Sequence, residues 1–252
     1  MKVISLLNQK GGVGKTTSTY NLSTALALKG YKTLMIDSDS QASLTLMTAN
    51  DPLKIKNNLP ALYLGTTKIK KCIYKTTIDN LFILPSSINL SKAEKLAMNE
   101  IGRENKIKKA LNEIKNDFDY VLIDCPPALS LLTINNLVAS DYIIAPCEPN
   151  DLSIYALEDL KETIEEIKEK VNYDLKFMGI IVTKYDQRIK IQKEKLRELE
   201  NNETIIGIVK SAAAAVKGME EGKPVVLNDP KSVVSIAYKE ICNYIEEECN
   251  HG

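Results

Sequence analysis

Tryptophan is absent from this 252-residue sequence, phenylalanine occurs three times, and no two cysteines have C-x-x-C spacing. The five cysteines (Cys72, Cys125, Cys147, Cys242, Cys249) are odd in number and scattered, which implies reduced thiols and leaves no paired ligands for an iron–sulfur cluster. The Cys249-x-His251 tail is half a metal site at most and reads as a frayed terminus. No apolar run approaches the ~18 residues of a membrane span. The polar trio Asn8–Gln9–Lys10 interrupts the apolar start, so the zones of a signal peptide are missing too. These absences lead to the expectation of a cytoplasmic, soluble protein. Net charge is also lacking, with 33 Lys+Arg against 33 Asp+Glu. Any affinity for a polyanion must therefore come from a local patch. There is no internal repeat, low-complexity tract or Gly/Ser linker. A chain of this length can bury roughly 70–75% of its unfolded surface in one core, and one domain over residues 1–252 is expected.

Short apolar runs alternate with amphipathic stretches, the pattern of parallel βαβ units. The expected strands are Val3–Leu7, Thr33–Ile36, Leu81–Leu84, Tyr120–Ile123, Tyr142–Ala145, Phe177–Val182, Ile205–Val209 and Pro224–Leu227. Several are continuously apolar, as strands covered on both faces should be. The fold class is thus α/β, doubly wound, with a mostly parallel sheet flanked by helices. The clearest helix spans Asp151 to Lys170, where Ile154, Leu157, Leu160, Ile164 and Ile167 form one stripe and Asp151 or Ser153 supplies the cap. A last helix runs from Lys231 to Glu248 and packs through Val234, Ala237, Ile241 and Ile245. Residues 50–80 read as an irregular excursion.

Lys10-Gly11-Gly12-Val13-Gly14-Lys15-Thr16-Thr17 follows the first strand and opens a helix. Gly11, Gly12 and Gly14 let backbone N–H groups crowd around phosphates, and the helix N-terminus adds positive potential. Lys15 reaches the β- and γ-phosphates, and Thr16 places a hydroxyl where Mg2+ binds between them. The usual first glycine is replaced by Gln9, and a second lysine, Lys10, stands inside the loop. Asp37 and Asp39 end the second strand, where carboxylates face the ligand crevice of an open α/β sheet, and Asp124 ends Tyr120-Val121-Leu122-Ile123, as a P-loop NTPase presents its Mg2+-directed carboxylate. Cys125 reads as a small filler rather than a reactive thiol.

The loop K-G-G-x-G-K-T-T resembles the deviant phosphate loop of the ParA/MinD group of ATPases. Asp37-x-Asp39-x-Gln41-Ala42-Ser43, Asp124-Cys125-Pro126-Pro127-Ala128-Leu129, Pro85–Leu90, Gly222–Val225 and Asp229–Ser232 extend the resemblance nearly end to end, toward short ParA/Soj-type partition ATPases. With Met1 against the first strand, no N-terminal DNA-binding extension is expected. The resemblance implies ATP and Mg2+ as cofactors, an ATP-dependent homodimer, and slow hydrolysis stimulated by a ParB-type centromere-binding protein. It implies that Lys10 acts across the dimer as an arginine finger would, that Asp39 supports water attack, and that Thr16, Asp37, Asp39 and Asp124 organise Mg2+. It also implies non-specific DNA as the track, and nucleoid association.

The sequence departs from the group at Ser40 and Ala42, and at Lys210-Ser211-Ala212-Ala213-Ala214-Ala215, where many relatives carry arginines that help hold DNA or residues near the adenine. The expected DNA contacts are Arg188, Lys190, Lys193, Lys195 and Arg197, with Lys210 and Lys217. Lysine there is a point charge where arginine would grip phosphate bidentately. The rival readings are a ParA-like ATPase that positions a protein cargo and a MinD-like membrane ATPase. The second needs a basic amphipathic C-terminus, but Lys239–Glu248 carries one Lys and four Glu, so no membrane partner is expected.

Overall fold

The computed structural model of the protein describes residues 1–48, 51, 54–211 and 222–251. Eight strands form one sheet: β1 (Lys2–Leu6), β2 (Thr33–Asp37), β3 (Tyr74–Lys75), β4 (Leu81–Leu84), β5 (Tyr120–Asp124), β6 (Tyr142–Cys147), β7 (Lys176–Tyr185) and β8 (Ile205–Lys210). Their order is β3-β4-β2-β5-β1-β6-β7-β8, parallel except for β3 against β4. The strands alternate between two cores because successive side chains point to opposite faces. Val3, Leu34, Ile36, Val121 and Ile123 face one helical layer, while Ile4, Leu6 and Leu122 face the other. Both faces are covered, which explains the continuously apolar runs.

One layer holds α1 (Lys15–Leu28) and the C-terminal helix Val233–His251. The other holds α3 (Leu59–Tyr63), α4 (Leu90–Ala97), α5 (Lys106–Asn112), α6 (Leu131–Ala139), α7 (Asp151–Lys170) and α8 (Lys190–Asn202). The short α2 (Ser43–Met47) follows β2. Helix α1 is buried nearly all round although it is rich in Ser, Thr and Asn. Three of its polar side chains are met locally: Thr19 Oγ1 donates to Lys15 O at 3.0 Å, Thr24 Oγ1 to Tyr20 O at 2.8 Å, and Asn21 Nδ2 to Thr17 O at 2.9 Å. The C-terminal helix lies so close on β8 that a Cβ on Gly207 would stand 2.3 Å from Ile241 Cγ1. Even alanine at position 207 would lift that helix from the sheet.

Helix α7 has the expected bounds, but its cap is Asn150, whose side chain accepts from Ser153 N at 3.1 Å, rather than Asp151 or Ser153. The last helix begins at Val233 rather than Lys231 because the Ser232 hydroxyl accepts from Ser235 N at 3.2 Å and marks its start. Pro224–Leu227 is not a strand. Val225–Asn228 is a helical turn started by Pro224, and it seats Val225 and Val226 on α1, where Val226 N donates to Asn21 Oδ1. Its apolar side chains are buried by a helix, a possibility that a four-residue run cannot distinguish from a strand. Within the excursion, Asn58 caps α3 and β3 closes the sheet edge.

Candidate nucleotide site

Between β1 and α1 the chain turns through two left-handed glycines, Gly12 at φ 76° and Gly14 at φ 91°. Only glycine takes these angles without strain. No side chain caps α1, so its first N–H groups remain available to an anion. The loop is gripped from β7: Thr183 Oγ1 donates to Val13 O at 2.8 Å and Lys184 Nζ to Gly12 O at 2.6 Å. It is gripped from β6 as well, where Asn8 Nδ2 donates to Pro146 O and Asn8 Oδ1 accepts from Lys10 N, both at 2.8 Å.

The two loop lysines point to different places. Lys15 is buried and folds back, with Nζ donating to Asn8 O at 3.0 Å and Lys10 O at 3.1 Å. Burial lowers its pKa, and the negative charge of Asp124 opposes that shift. Lys10 turns instead to the start of α7, where Nζ meets Asn150 Oδ1 at 3.0 Å, Ser153 Oγ at 3.1 Å and Glu148 Oε2 at 3.4 Å. The other oxygen of Glu148 pairs with Lys184 at 2.7 Å. Partial burial would raise the Glu148 pKa, but Lys184 and Lys10 outweigh it and hold the carboxyl below its usual range.

Three carboxylates converge opposite the loop. Asp37 and Asp124 sit in register on neighbouring strands at the carboxyl edge of the sheet, and both are buried. Asp37 Oδ2 accepts from Thr45 N at 2.8 Å and Thr45 Oγ1 at 2.6 Å. Burial pushes its pKa up to about 6 even so. Among the described residues no donor stands in hydrogen-bonding geometry to either Asp124 oxygen. Burial first, then repulsion from Asp37, raises its pKa well above the ordinary value, with the nearby Thr16 hydroxyl and Lys15 ammonium pulling the other way. Asp39 is half exposed, and its Oδ1 accepts from Gln41 N at 2.9 Å.

Lys15 and Asp39 line a crevice of about 360 Å3 that runs from Gly11, Thr16 and Thr17 to Pro127. Two orphaned carboxylate oxygens beside a threonine hydroxyl are hard oxygen donors that suit Mg2+. Among the described residues no three His, Cys, Asp or Glu side chains gather to cage a metal. That also fits Mg2+, which keeps waters and leans on substrate phosphates. Cys125 borders the same crevice, but burial pushes its thiol up to about 12, which suits a filler.

The expected DNA residues lie apart from the crevice groups, and several are already engaged. Arg188 forks onto Asp186 at 2.6 Å, Lys190 pairs with Glu194 at 3.8 Å, and Lys195 pairs with Asp151 at 2.5 Å and Glu198 at 2.8 Å. Lys193 and Arg197 are exposed without an ion pair among the described residues, and Lys210 is exposed beside Gln187. Lys217 and the Ala212–Ala215 run lie outside the described residues. Sequence reasoning missed Asn8, Thr45, Glu148, Asn150, Ser153, Thr183 and Lys184. Only Asn150, a capping residue ahead of a clear helix, carried a local signal.

A family model described as an AAA domain matches residues 1–177. The sporulation initiation inhibitor protein Soj of Bacillus subtilis is 31% identical over 97% of this chain and 98% of its own. The chain belongs to the ParA/MinD family of P-loop ATPases. Another relative of this ParA/MinD-type ATPase, the uncharacterized protein MJECL24 of Methanocaldococcus jannaschii, is 41% identical over 98% of this chain and 99% of its own. Among solved structures, cobyrinic acid a,c-diamide synthase from Mycobacterium smegmatis with bound ADP and magnesium superposes with a TM-score of 0.86. It is 29% identical, covering 99% of this chain and 96% of that one. Among the described residues no helix of the ATPase is long and apolar enough to cross a membrane.

Proposed function

We propose that this protein is an ATP-hydrolysing DNA partition ATPase, acting as one unit over residues 1–252. In this reading, ATP with Mg2+ closes two copies into a face-to-face dimer on non-specific DNA of the nucleoid, and hydrolysis, stimulated by a ParB-type protein, releases it. The observation that carries the reading is the direction of Lys10, whose ammonium turns out of its own phosphate loop to Glu148, Asn150 and Ser153. A cation held at the rim, with a quarter of its side chain exposed, is placed to serve a second copy. It would then stabilise transition-state charge only in the assembled dimer.

Within one crevice, Lys15 exchanges the Asn8 and Lys10 carbonyls for phosphate oxygens, while the loop N–H groups and the α1 N-terminus hold the rest of the phosphate chain. Asp124 and Thr16 would hold Mg2+, with Asp37 and Asp39 acting through water. When bound, the ion draws charge from the phosphates during attack. Asp39 Oδ1 is taken by Gln41 N, so the role of orienting the attacking water falls to Oδ2.

The membrane reading is disfavoured by the acidic C-terminal helix, since three glutamates stand together at Glu246–Glu248 and anionic lipid repels them. A protein cargo in place of DNA shares every site residue and is separated only by its partner. The test is anisotropy of a non-specific duplex with no nucleotide, ADP·Mg2+ or ATP·Mg2+, using Asp39→Ala to prevent turnover. Binding with ATP alone, weakened by salt, is expected. A dimer that ignores DNA in every nucleotide state would leave the cargo reading in its place.

A further inference from the structure

Residues 54–115 hold thirteen Lys/Arg against five Asp/Glu, so the rest of this neutral chain carries the opposite excess. The segment includes α4, α5 and the tight turn Ile69–Lys71, which share one core through Ile69, Ala93, Ala97, Ile107, Ala110 and Ile114. They are tied together at the surface as well. Lys106 Nζ donates to Tyr63 O at 2.7 Å and to Glu100 at 2.5 Å, and Lys70 pairs with Asp117 at 3.1 Å.

Three of the segment's five acids are engaged, while Asp79 and Glu113 are exposed. Glu94 turns inward to accept from Leu132 N at 3.2 Å, Glu100 is spent on Lys106, and Glu104 accepts from Asn105 Nδ2 at 2.6 Å. Lys68, Lys71, Lys92, Lys95, Lys108 and Lys109 are exposed and form no ion pair among the described residues. On α4 the buried positions are Leu90, Ala93 and Ala97, and on α5 they are Ile107, Ala110 and Leu111, so the lysines occupy the opposite, outward faces.

We propose that the outward face of α4 and α5, with the turn Ile69–Lys71, is the surface that holds the phosphate backbone of non-specific DNA. The inference rests on the partition reading and names its DNA surface. Separated lysines on three elements suit a periodic polyanion, whose affinity comes from counterion release rather than from shaped contacts. Lysine, a flexible point charge, is adequate where no base is read. The opposite charge elsewhere turns the molecule so that this face meets the duplex. An anionic bilayer would use apolar side chains too. Leu64, Ile88, Leu96, Met98 and Ile101 are exposed here, but three of the five sit in the single stretch 96–101 while the charge is spread over every element of the face.

The experiment compares three variants in the Asp39→Ala background with ATP·Mg2+, reading duplex anisotropy at 50 and 150 mM salt. The first joins Lys92→Glu, Lys95→Glu, Lys108→Glu and Lys109→Glu; the second joins Lys190→Glu, Lys193→Glu and Arg197→Glu on α8; the third joins Met98→Ser and Ile101→Ser. Affinity for a fluorescent ATP analogue and sedimentation of the dimer verify that each variant folds and closes. The α4–α5 variant is expected to bind DNA at least tenfold more weakly, with a salt slope shallower by about 3. The α8 variant should lose less than threefold, and the serine variant should be unchanged. Loss confined to the α8 variant would overturn the proposal and leave the partition reading standing. No DNA binding by the Asp39→Ala protein itself would overturn both. If instead that protein binds phosphatidylglycerol vesicles and the serine variant does not, the face is a membrane surface and the proposal fails.

Discussion

The lysines around the phosphate loop and those of the α4–α5 face do opposite things with the same side chain. Around the loop every ammonium has named partners: Lys15 holds two carbonyls, Lys10 three side chains, and Lys184 a carbonyl and a carboxylate. On α4 and α5, Lys92, Lys95, Lys108 and Lys109 are exposed and have no ion pair among the described residues. A buried lysine is defined by where its charge sits, and an exposed one by how much charge stands around it. Helix α8 lies between these cases, because neighbouring carboxylates take up much of its positive charge. A count of basic residues in a sequence window therefore says little until the acids are located.

Exchange to arginine tests that contrast most severely. Lys15→Arg should lose ATP at least a hundredfold by calorimetry, since a planar guanidinium does not fit between two carbonyls that held an ammonium. Lys108→Arg should leave duplex affinity within about twofold. If both exchanges were equally harmless, the distinction would collapse. Lys10→Ala comes next. It should keep ATP within a few-fold but lose the ATP-dependent dimer by sedimentation, because its partners belong to the β6–α7 turn and the first turn of α7 rather than to the crevice.

A smaller effect concerns the carboxylates that face these lysines. Burial raises Asp37 to about 6 and lifts Asp124 well above its ordinary range. Protonation therefore favours the folded, nucleotide-free protein. The stability these groups contribute is present below about pH 4 and is lost as pH rises through the folded values. Asp124→Asn should raise the nucleotide-free Tm at pH 7 by about 3–5 °C and flatten its fall between pH 4.5 and 7. Mg2+ with ATP, which favours the ionised carboxylates, should oppose the same fall in the unmodified protein. The smallest expected change is for Glu148→Gln, which leaves Lys10 and Lys184 without their shared carboxylate. Dimerisation by ATP should then shift by only about threefold, because Asn150 and Ser153 still hold Lys10.

Much of the fold is legible in the sequence. Continuous apolar runs imply the parallel sheet, Gly12 and Gly14 mark the turn between β1 and α1, and an apolar run ending in Asp124 marks a strand whose carboxylate lies near that turn. These signals are local, since spacing and residue type suffice. The Pro224–Leu227 turn was misread because burial against α1 and burial in a sheet leave the same four-residue pattern. The grip of Thr183 and Lys184 on the loop joins residues about 170 apart, and no neighbouring residue announces it. The α4–α5 face was overlooked for the same reason, because only the fold turns Glu94 inward and spends Glu100 on Lys106.

Lys184 stands at φ 53°, in the left-handed region where an L side chain is held at a cost of order 1 kcal/mol or more. The contacts to Gly12 O and Glu148 must outweigh that cost, so the end of β7 resembles a bent spring latched at its tip. Whatever draws Gly12 toward a phosphate or Glu148 toward another cation unlatches it, and the recoil runs into the residues that lead to α8. Amide hydrogen exchange at 184–189 is accordingly where the nucleotide state of this molecule should first be heard, well away from the crevice that sets it.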